Sequence, residues 1–332
     1  MDKQVKITVA IPTYNEEAEL ETCLNAVFRQ KYPLSLLEVL IVDNYSIDKT
    51  LQIARKYPVK ILMNKIKDAQ ISKMIALRKS HGELFMYLDA DLEILGSNWF
   101  DELSQPLLND PKIVGSFTKF VSFPSDAPLC RYLSYETIQK DPIYEFFSAS
   151  VESTIIERKG NYAICEYATG KIPSSGLCLF KKKALLSVWN LKKDKKFMEL
   201  DNLVKLVNAG YNKFAYVPGP GMHHPFVKNL NDIFRKRLRN IRKNYLNQDT
   251  PRLYTWFDLK TVRGILKVFL WMIYVNTFVL PILRGIRKSI RNKDWACMYE
   301  PILAFLETWV IIYGFIKYGY RLPFGNKIIS QD

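Results

Sequence analysis

The first hundred residues alternate between two hydrophobic periods, and no other feature restricts the fold as strongly. Short runs rich in β-branched residues fall at Val5–Ile11, Val39–Val42, Val59–Leu62 and Leu84–Leu88. Between them, apolar positions recur at helical spacing over Glu16–Gln30, Asp48–Tyr57 and Asp68–Ser80. Continuous apolar runs mark strands buried on both faces, and the intervening helices mark parallel βαβ crossovers. Such crossovers are right-handed, so the pattern predicts an α/β fold with an open, doubly wound, mostly parallel sheet. A further helix is predicted over Phe197–Ala209, stopped by Gly210. With 332 residues, 48% of them hydrophobic, the chain has a core large enough to exclude global disorder.

Sheets of this kind bind ligands beyond the carboxyl ends of their strands. Three of the four runs are followed at once by polar residues: Thr13-Tyr14-Asn15-Glu16, Asp43-Asn44 and Asp89-Ala90-Asp91. All three groups are expected to line one crevice. Side chains alternate along a strand, so Asp89 and Asp91 are expected on the same side. Two carboxylates in one cleft repel each other unless a cation lies between them, and oxygen ligands of this type suit Mg2+ or Mn2+. Taken alone, Asp-x-Asp also fits a solvated turn.

The set of motifs is more specific. Val9-Ala10-Ile11-Pro12-Thr13-Tyr14-Asn15-Glu16-Glu17, Ile41-Val42-Asp43-Asn44-Tyr45-Ser46-Ile47-Asp48-Lys49-Thr50 and Tyr87-Leu88-Asp89-Ala90-Asp91 follow one another. Lys205-Leu206, Ala209-Gly210-Tyr211 and His223-His224 come later. In this order the chain resembles the inverting nucleotide-sugar glycosyltransferases of family 2, which have the GT-A fold. The resemblance covers about residues 5–240. It implies that Pro12, Thr13, Tyr14 and Glu16, with Asp43, hold the base and ribose of a UDP- or GDP-linked donor. Lys73, Asp89 and Ala90 would complete the donor site. Asp91, with Asp89 nearby, would bind the metal bridging the donor diphosphate, with His224, or less well His223, completing its shell.

An inverting transfer also needs a base for the acceptor hydroxyl. The family presents a Glu-Asp pair at the start of a late helix, whereas this chain reads Phe197-Met198-Glu199-Leu200-Asp201-Asn202-Leu203. Counting back from Lys205-Leu206 selects Glu199, and aligning on Leu203 leaves Asp201 one residue out of step. Ser72-Lys73-Met74 stands where the family has Ala-Arg-Asn, so a point charge replaces a planar fork. Gly170, Ser174, Ser175 and Gly176 occupy the small-residue stretch that by resemblance lies near the sugar and acceptor, and Gly170 equally fits a plain turn. His81, just before Gly82, reads as a helix-end residue.

The net charge of +15 calls for an anionic partner. Its location favours a membrane over nucleic acid. Asp232–Leu246 has the pattern of a basic amphipathic helix. Two apolar segments follow, Val268–Leu283 and Ile302–Ile316, joined by a connection carrying Arg284, Arg287, Lys288, Arg291 and Lys293. Trp256, Trp271, Tyr274, Trp295 and Tyr299 flank them, and Arg263, Lys267, Lys317 and Arg321 mark the outer ends. Both segments are short of the roughly 20 residues of a spanning helix. A connection so basic would also break the positive-inside tendency if it faced outward. A re-entrant or monotopic hairpin is therefore expected. The five cysteines are scattered and read as reduced core thiols, and no secretory signal is visible.

These readings combine into an expected catalytic domain at 1–225, a basic amphipathic linker helix region at 226–261 and a membrane-associated helical hairpin and tail at 262–332. The resemblance implies sugar transfer at the cytoplasmic face of the cell membrane to a lipid-linked glycan, a polyprenyl phosphate or a polysaccharide. The competing reading is a catalytically inactive GT-A-like protein that binds anionic lipid or nucleic acid. A nucleotidyltransferase is disfavoured because no early Gly-rich phosphate loop is present.

Overall fold

The structure is a computed structural model that describes residues 4–138, 140–173, 177–190, 194–246, 252–255 and 259–319. Ser174, Ser175, Gly176, Trp256 and Arg321 lie outside the described residues. By its internal contacts the chain forms two units, Met1–Val121 with Ala149–His224, and Ser122–Ser148 with Pro225–Asp332.

The first unit opens with the predicted alternation. It runs β1 (Ile7–Thr13), α1 (Leu20–Phe28), β2 (Leu37–Asp43), α2 (Thr50–Ala54), β3 (Lys60–Met63), α3 (Ala69–Lys79) and β4 (Leu84–Tyr87). There follow β5 (Glu93–Ile94), α4 (Trp99–Asn109) and β6 (Ile113–Val121). The chain then enters the second unit through α5 (Pro128–Leu133) and α6 (Pro142–Phe147). It returns as β7 (Ile155–Lys159), β8 (Tyr162–Glu166), β9 (Leu179–Lys181), α7 (Lys182–Ser187), α8 (Glu199–Asn208) and β10 (Lys213–His223).

Among the described residues the strands form one ten-stranded sheet in the order β3-β2-β1-β4-β9-β6-β10-β8-β7, with β5 paired to β10. The β3-β2-β1-β4 half is parallel, and β9, β8, β7 and β5 bring antiparallel pairings. Every residue of β1 is buried, which explains its run without polar alternation. The core packs Ile7, Val9 and Ile11 with Leu24, Val27, Trp99 and Phe100. Gly82, just before β4, admits no side chain, because a Cβ there would sit 2.5 Å from the Thr8 amide nitrogen. Gly210 ends α8 at φ +84°. Tyr211 N–H bonds Leu206 C=O at 2.9 Å and Gly210 N–H bonds Val207 C=O at 3.0 Å, closing the last helical turn as the sequence signal predicts.

The second unit completes with α9 (Leu230–Ile241), α10 (Val262–Thr277), α11 (Val279–Asn292) and α12 (Tyr299–Lys317). It departs from the expected layout in two respects. Residues 122–148 belong with the C-terminal helices: Leu129, Tyr132 and Leu133 pack on Val227, Ile233, Cys297 and Leu303. Ile143 and Phe147 pack on Trp271, Val275 and Ala304. The apolar run Val268–Leu283 is two helices bent by 79° rather than one, and the basic connection after it is itself α11. The break falls at Phe278, φ +59°. Pro281 explains it, since a proline has no N–H for the carbonyl four residues earlier.

Asp294 ties α5 to the α11–α12 corner. It accepts from Arg131 Nε and Nη2 at 2.7 and 3.1 Å, from the Tyr135 hydroxyl, and from the Ala296 amide at 2.9 Å. The Arg131 guanidinium holds this carboxyl well below the usual carboxylate range against the opposing effect of burial. A folded value below the unfolded one adds stability that is complete above the unfolded pKa of about 4 and is lost as the pH falls. Asp294→Asn is therefore expected to destabilise the protein at pH 7 by about 1.5–3 kcal/mol. The gap to wild type should narrow below about pH 4, as urea unfolding at several pH values would read.

Candidate active site

The site residues come from the first unit and gather where β1, β2, β3 and β4 end. Thr13 and Asp43 are register partners, 1% and 0% exposed. The Thr13 hydroxyl donates to Asp43 Oδ1 at 2.9 Å. Ser46 donates to the same carboxylate through Oγ at 2.6 Å and N–H at 2.8 Å. Asp43 thus shapes the loop after β2 as well as facing the strand ends. Pro12 lies buried within β1, opposite Val42, and Tyr14 is half exposed with Lys67 Nζ 5.5 Å from its ring centre. An exposed aromatic past a strand end can stack on a base.

The loops after β1 and β2 brace each other. Asn15, at φ +57°, accepts from Ile47 N–H at 3.0 Å, and its own N–H bonds Ser46 Oγ at 2.9 Å. The Glu16 amide bonds Thr50 Oγ1 at 2.7 Å, and the Glu17 amide bonds Asp48 at 3.1 Å. The sequence reading left these roles of Ser46, Asp48 and Thr50 unassigned. It also missed a fourth polar strand end, Asn64 after β3, which is 2% exposed. Asn64 Nδ2 donates to Asn44 Oδ1 and Ser72 Oγ, both at 3.0 Å, and Asn44 Nδ2 donates to Thr13 C=O at 2.9 Å. An asparagine two residues past the run Val59–Leu62 was the available signal.

The acidic triplet lies past the end of β4 in a turn, with Leu92 N–H bonded to Asp89 C=O at 3.0 Å. Strand alternation therefore does not govern it, and the expectation built on that alternation is corrected. The two carboxylates take different partners. Asp89 Oδ1 lies 3.1 Å from Lys73 Nζ, and Asp91 Oδ2 lies 3.3 Å from His224 Nε2. Ala90 between them is buried. His223 Nδ1 lies 3.8 Å from Glu93 Oε2. Glu16 is pushed up to about 7, by burial first and then by Asp91, Glu19, Asp89 and Asp48. Burial, with Asp91 and Asp89, also raises the Cys23 thiol.

Lys73 joins Asp89, a donor- and metal-site candidate, to Glu199, a candidate base. The lysine side chain is 3% exposed; the ammonium pairs with both Asp89 and Glu199, and it stands 3.8 Å from the centre of the Tyr87 ring. Burial alone would lower this ammonium, but the Asp89 and Glu199 carboxylates outweigh it and hold it above the ordinary lysine value. Glu199 is the first residue of α8 and its side chain is 31% exposed, whereas Asp201 is 7% exposed. Phe197 sets the entry to α8 by stacking on Trp189 and donating its N–H to Gln70 C=O at 2.9 Å. Gly170, φ +75°, sits in a turn closed by Lys171 N–H to Ala168 C=O at 2.8 Å. His81 pairs with Glu38 on β2 at 2.7 Å instead of capping α3.

The sheet is mixed, with an acidic turn after β4 and a histidine at the end of β10. Residues 8–151 match the model of glycosyl transferase family 2. Over 94 residues the chain is 33% identical to the poly(ribitol-phosphate) beta-N-acetylglucosaminyltransferase TarS of Staphylococcus aureus. That match takes in 26% of this chain and 16% of TarS. Over 328 residues it is 23% identical to a Methanococcus voltae protein, dolichyl N-acetyl-alpha-D-glucosaminyl phosphate 3-beta-D-2,3-diacetamido-2,3-dideoxy-beta-D-glucuronosyltransferase. This second match takes in 94% of this chain and 96% of the relative. Among solved structures, the mannosyltransferase PcManGT of Pyrobaculum calidifontis, in complex with GDP-Man and Mn2+, aligns at 18% identity and TM-score 0.47. It covers 94% of this chain and 74% of that one.

Lys73→Ala removes the ammonium with which Asp89 and Glu199 both pair. Its loss should lower the unfolding free energy by about 1–3 kcal/mol, since two charge-assisted contacts are lost and the hydration regained by the carboxylates offsets this only in part. Lys73→Arg should not restore stability, because a buried pocket fitted to an ammonium leaves a planar fork without room for its extra donors. Thermal or urea unfolding of the two variants checks this.

Proposed function

We propose that the chain transfers a sugar, with inversion, from a nucleotide diphosphate sugar to a lipid-linked acceptor at a membrane surface. The observation that carries this reading is the linked pair of sites, Asp91 with His224 and Asp89–Lys73–Glu199, at the strand ends of a family 2 domain. In this reading Thr13, Tyr14, Glu16 and Asp43, with Pro12, hold the base and ribose. The acceptor class is supported by the Methanococcus relative, whose name is that of an enzyme for a dolichyl-linked sugar phosphate.

Among the described residues no group of three or more His, Cys, Asp or Glu side chains could hold a metal. The residues present still fit a divalent ion of the Mg2+ or Mn2+ type. Asp91 and His224 offer an oxygen and a nitrogen 3.3 Å apart, and such ions commonly complete their shell with water and substrate phosphate. When bound, the metal would stabilise negative charge on the departing diphosphate. Lys73, held beside Asp89, can add positive charge on the same side. Glu199 is the base in this reading: it is accessible, whereas Asp201 is buried in the first turn of α8. Glu199 takes the acceptor hydroxyl proton as the oxygen attacks the anomeric carbon, and the sugar–phosphate bond breaks. The nucleoside diphosphate leaves with the bonding electrons.

A panel of UDP- and GDP-sugars, with and without Mn2+, tests this through melting temperature and nucleotide release. The true donor at a hundredfold over its Kd should add about 2.7 kcal/mol of stability, and only with metal. Asp91→Ala should abolish both the metal-dependent shift and turnover. Glu199→Gln should keep the shift and lower turnover by about 10²–10⁴-fold. Asp201→Asn should leave turnover within an order of magnitude of wild type, and a larger loss would make Asp201 the base. If no donor stabilises the chain and none is turned over, the inactive binding protein becomes the better description.

A further inference from the structure

The helices of the second unit reverse the usual order of polarity. On α10, Val262, Ile265, Leu266, Phe269, Leu270 and Ile273 are all 43% exposed or more. Their spacing puts them on one stripe, and the opposite stripe, Gly264, Trp271 and Val275, is buried. On α11, Arg284 and Lys288 turn inward. They pair with Glu145 at 2.5 Å each, and with the wholly buried Glu300 at 3.5 and 2.7 Å. Val279, Leu283, Ile286 and Ile290 point outward, 42–73% exposed. Soluble helices place charge outside and hydrophobic groups inside. Contiguous open apolar surface of this kind marks a contact site.

Charge identifies what makes the contact. From Val268 to Leu283, across the 79° bend, no residue is charged. Arg263 and Lys267 stand before this apex, Arg287, Arg291 and Lys293 stand after it, and residues 262–293 include no Asp or Glu. A second copy of so basic a face would be repelled, whereas an anionic surface would attract it. The arm Val268–Thr277 is about 15 Å long at 1.5 Å per residue, close to half of the roughly 30 Å hydrocarbon core. Exposed Trp295, Trp309 and Tyr313 are residue types suited to the headgroup boundary.

The segment Trp295–Lys317 is long and apolar enough to cross a membrane, with mean hydropathy 1.3. Its polar groups, however, are committed to the protein. Glu300 accepts from Tyr132 and Tyr274 at 2.7 and 3.0 Å, and Glu307 pairs with Arg237 at 3.0 Å. Trp271 Nε1 donates to Thr308 Oγ1 at 2.9 Å.

We infer that the bent pair α10–α11 is a monotopic wedge whose uncharged apex enters one leaflet of an anionic bilayer while its basic ends rest on the lipid phosphates. The inference rests on the proposed use of a membrane-borne acceptor and gives that use its attachment surface.

The test is sedimentation of the full chain with vesicles of phosphatidylcholine alone or mixed with phosphatidylglycerol. Nucleotide release in solution is followed in parallel, so failure of attachment is read separately from failure of catalysis. Wild type should bind the mixed vesicles, and binding should weaken with salt. The double variant Phe269→Glu/Leu280→Glu should bind at least about tenfold more weakly, since it places charge in hydrocarbon. Arg263→Glu/Arg287→Glu, which leaves the apolar stripe intact, should lose the preference for anionic lipid. Wild-type binding by either double variant would overturn the wedge. So would a dimer, stable without lipid, that Phe269→Glu/Leu280→Glu dissociates. The natural cysteines are buried, so Ile282→Cys can be probed with an impermeant maleimide. Protection from reagent trapped inside sealed vesicles supports entry from one side, and labelling from inside would show a crossing and overturn it.

Discussion

The ammonium of Lys73 is the interaction on which the arrangement of the site depends. A charge only 3% exposed needs counter-charges within reach, and the chain supplies Asp89 from the turn after β4 and Glu199 from the start of α8. One cation therefore fixes three segments against one another, two of them separated by 126 residues. Phe197 reinforces the join by packing on Phe85, Tyr87 and Trp189. The acid that would bind donor and the acid that would take a proton are thereby placed on either side of one positive charge.

Around this centre, the strand ends form a scaffold of side chains that satisfy one another. Thr13, Asp43, Asn44, Ser46, Asn64 and Ser72 are tied in a continuous set of hydrogen bonds. Buried polar groups left unpaired would cost stability, and paired ones hold a fixed shape. That shape lets the exposed Tyr14 and the acidic turn stand at defined positions beyond a rigid sheet.

The second unit follows the same rule with its polarity inverted. Glu300 and Glu307 are buried, so basic groups must point inward to meet them: Arg284 and Lys288 from α11, and Arg237 from α9. Once α11 commits its cations to the interior, its aliphatic residues are left on the outside.

The sequence by itself determined the parallel half of the sheet, β3-β2-β1-β4. Periodicity is a local property, and uninterrupted β-branched runs between amphipathic segments have few three-dimensional solutions, so β1–β4, α3 and the Gly210 stop were legible. The polar strand ends and the ordered motifs also pointed to Asp43, Asp89, Asp91 and Glu199 as one neighbourhood. The tertiary structure decided how those groups are partnered. It put the triplet in a turn, separated Asp89 from Asp91 by giving one to Lys73 and the other to His224, and turned His223 towards Glu93. It also drew residues 122–148 into the helical unit and broke the apolar run at Phe278. The physical reason is common to all of these: a charge chooses its partner only when packing has removed water from both, and no local pattern records which distant groups that packing brings together.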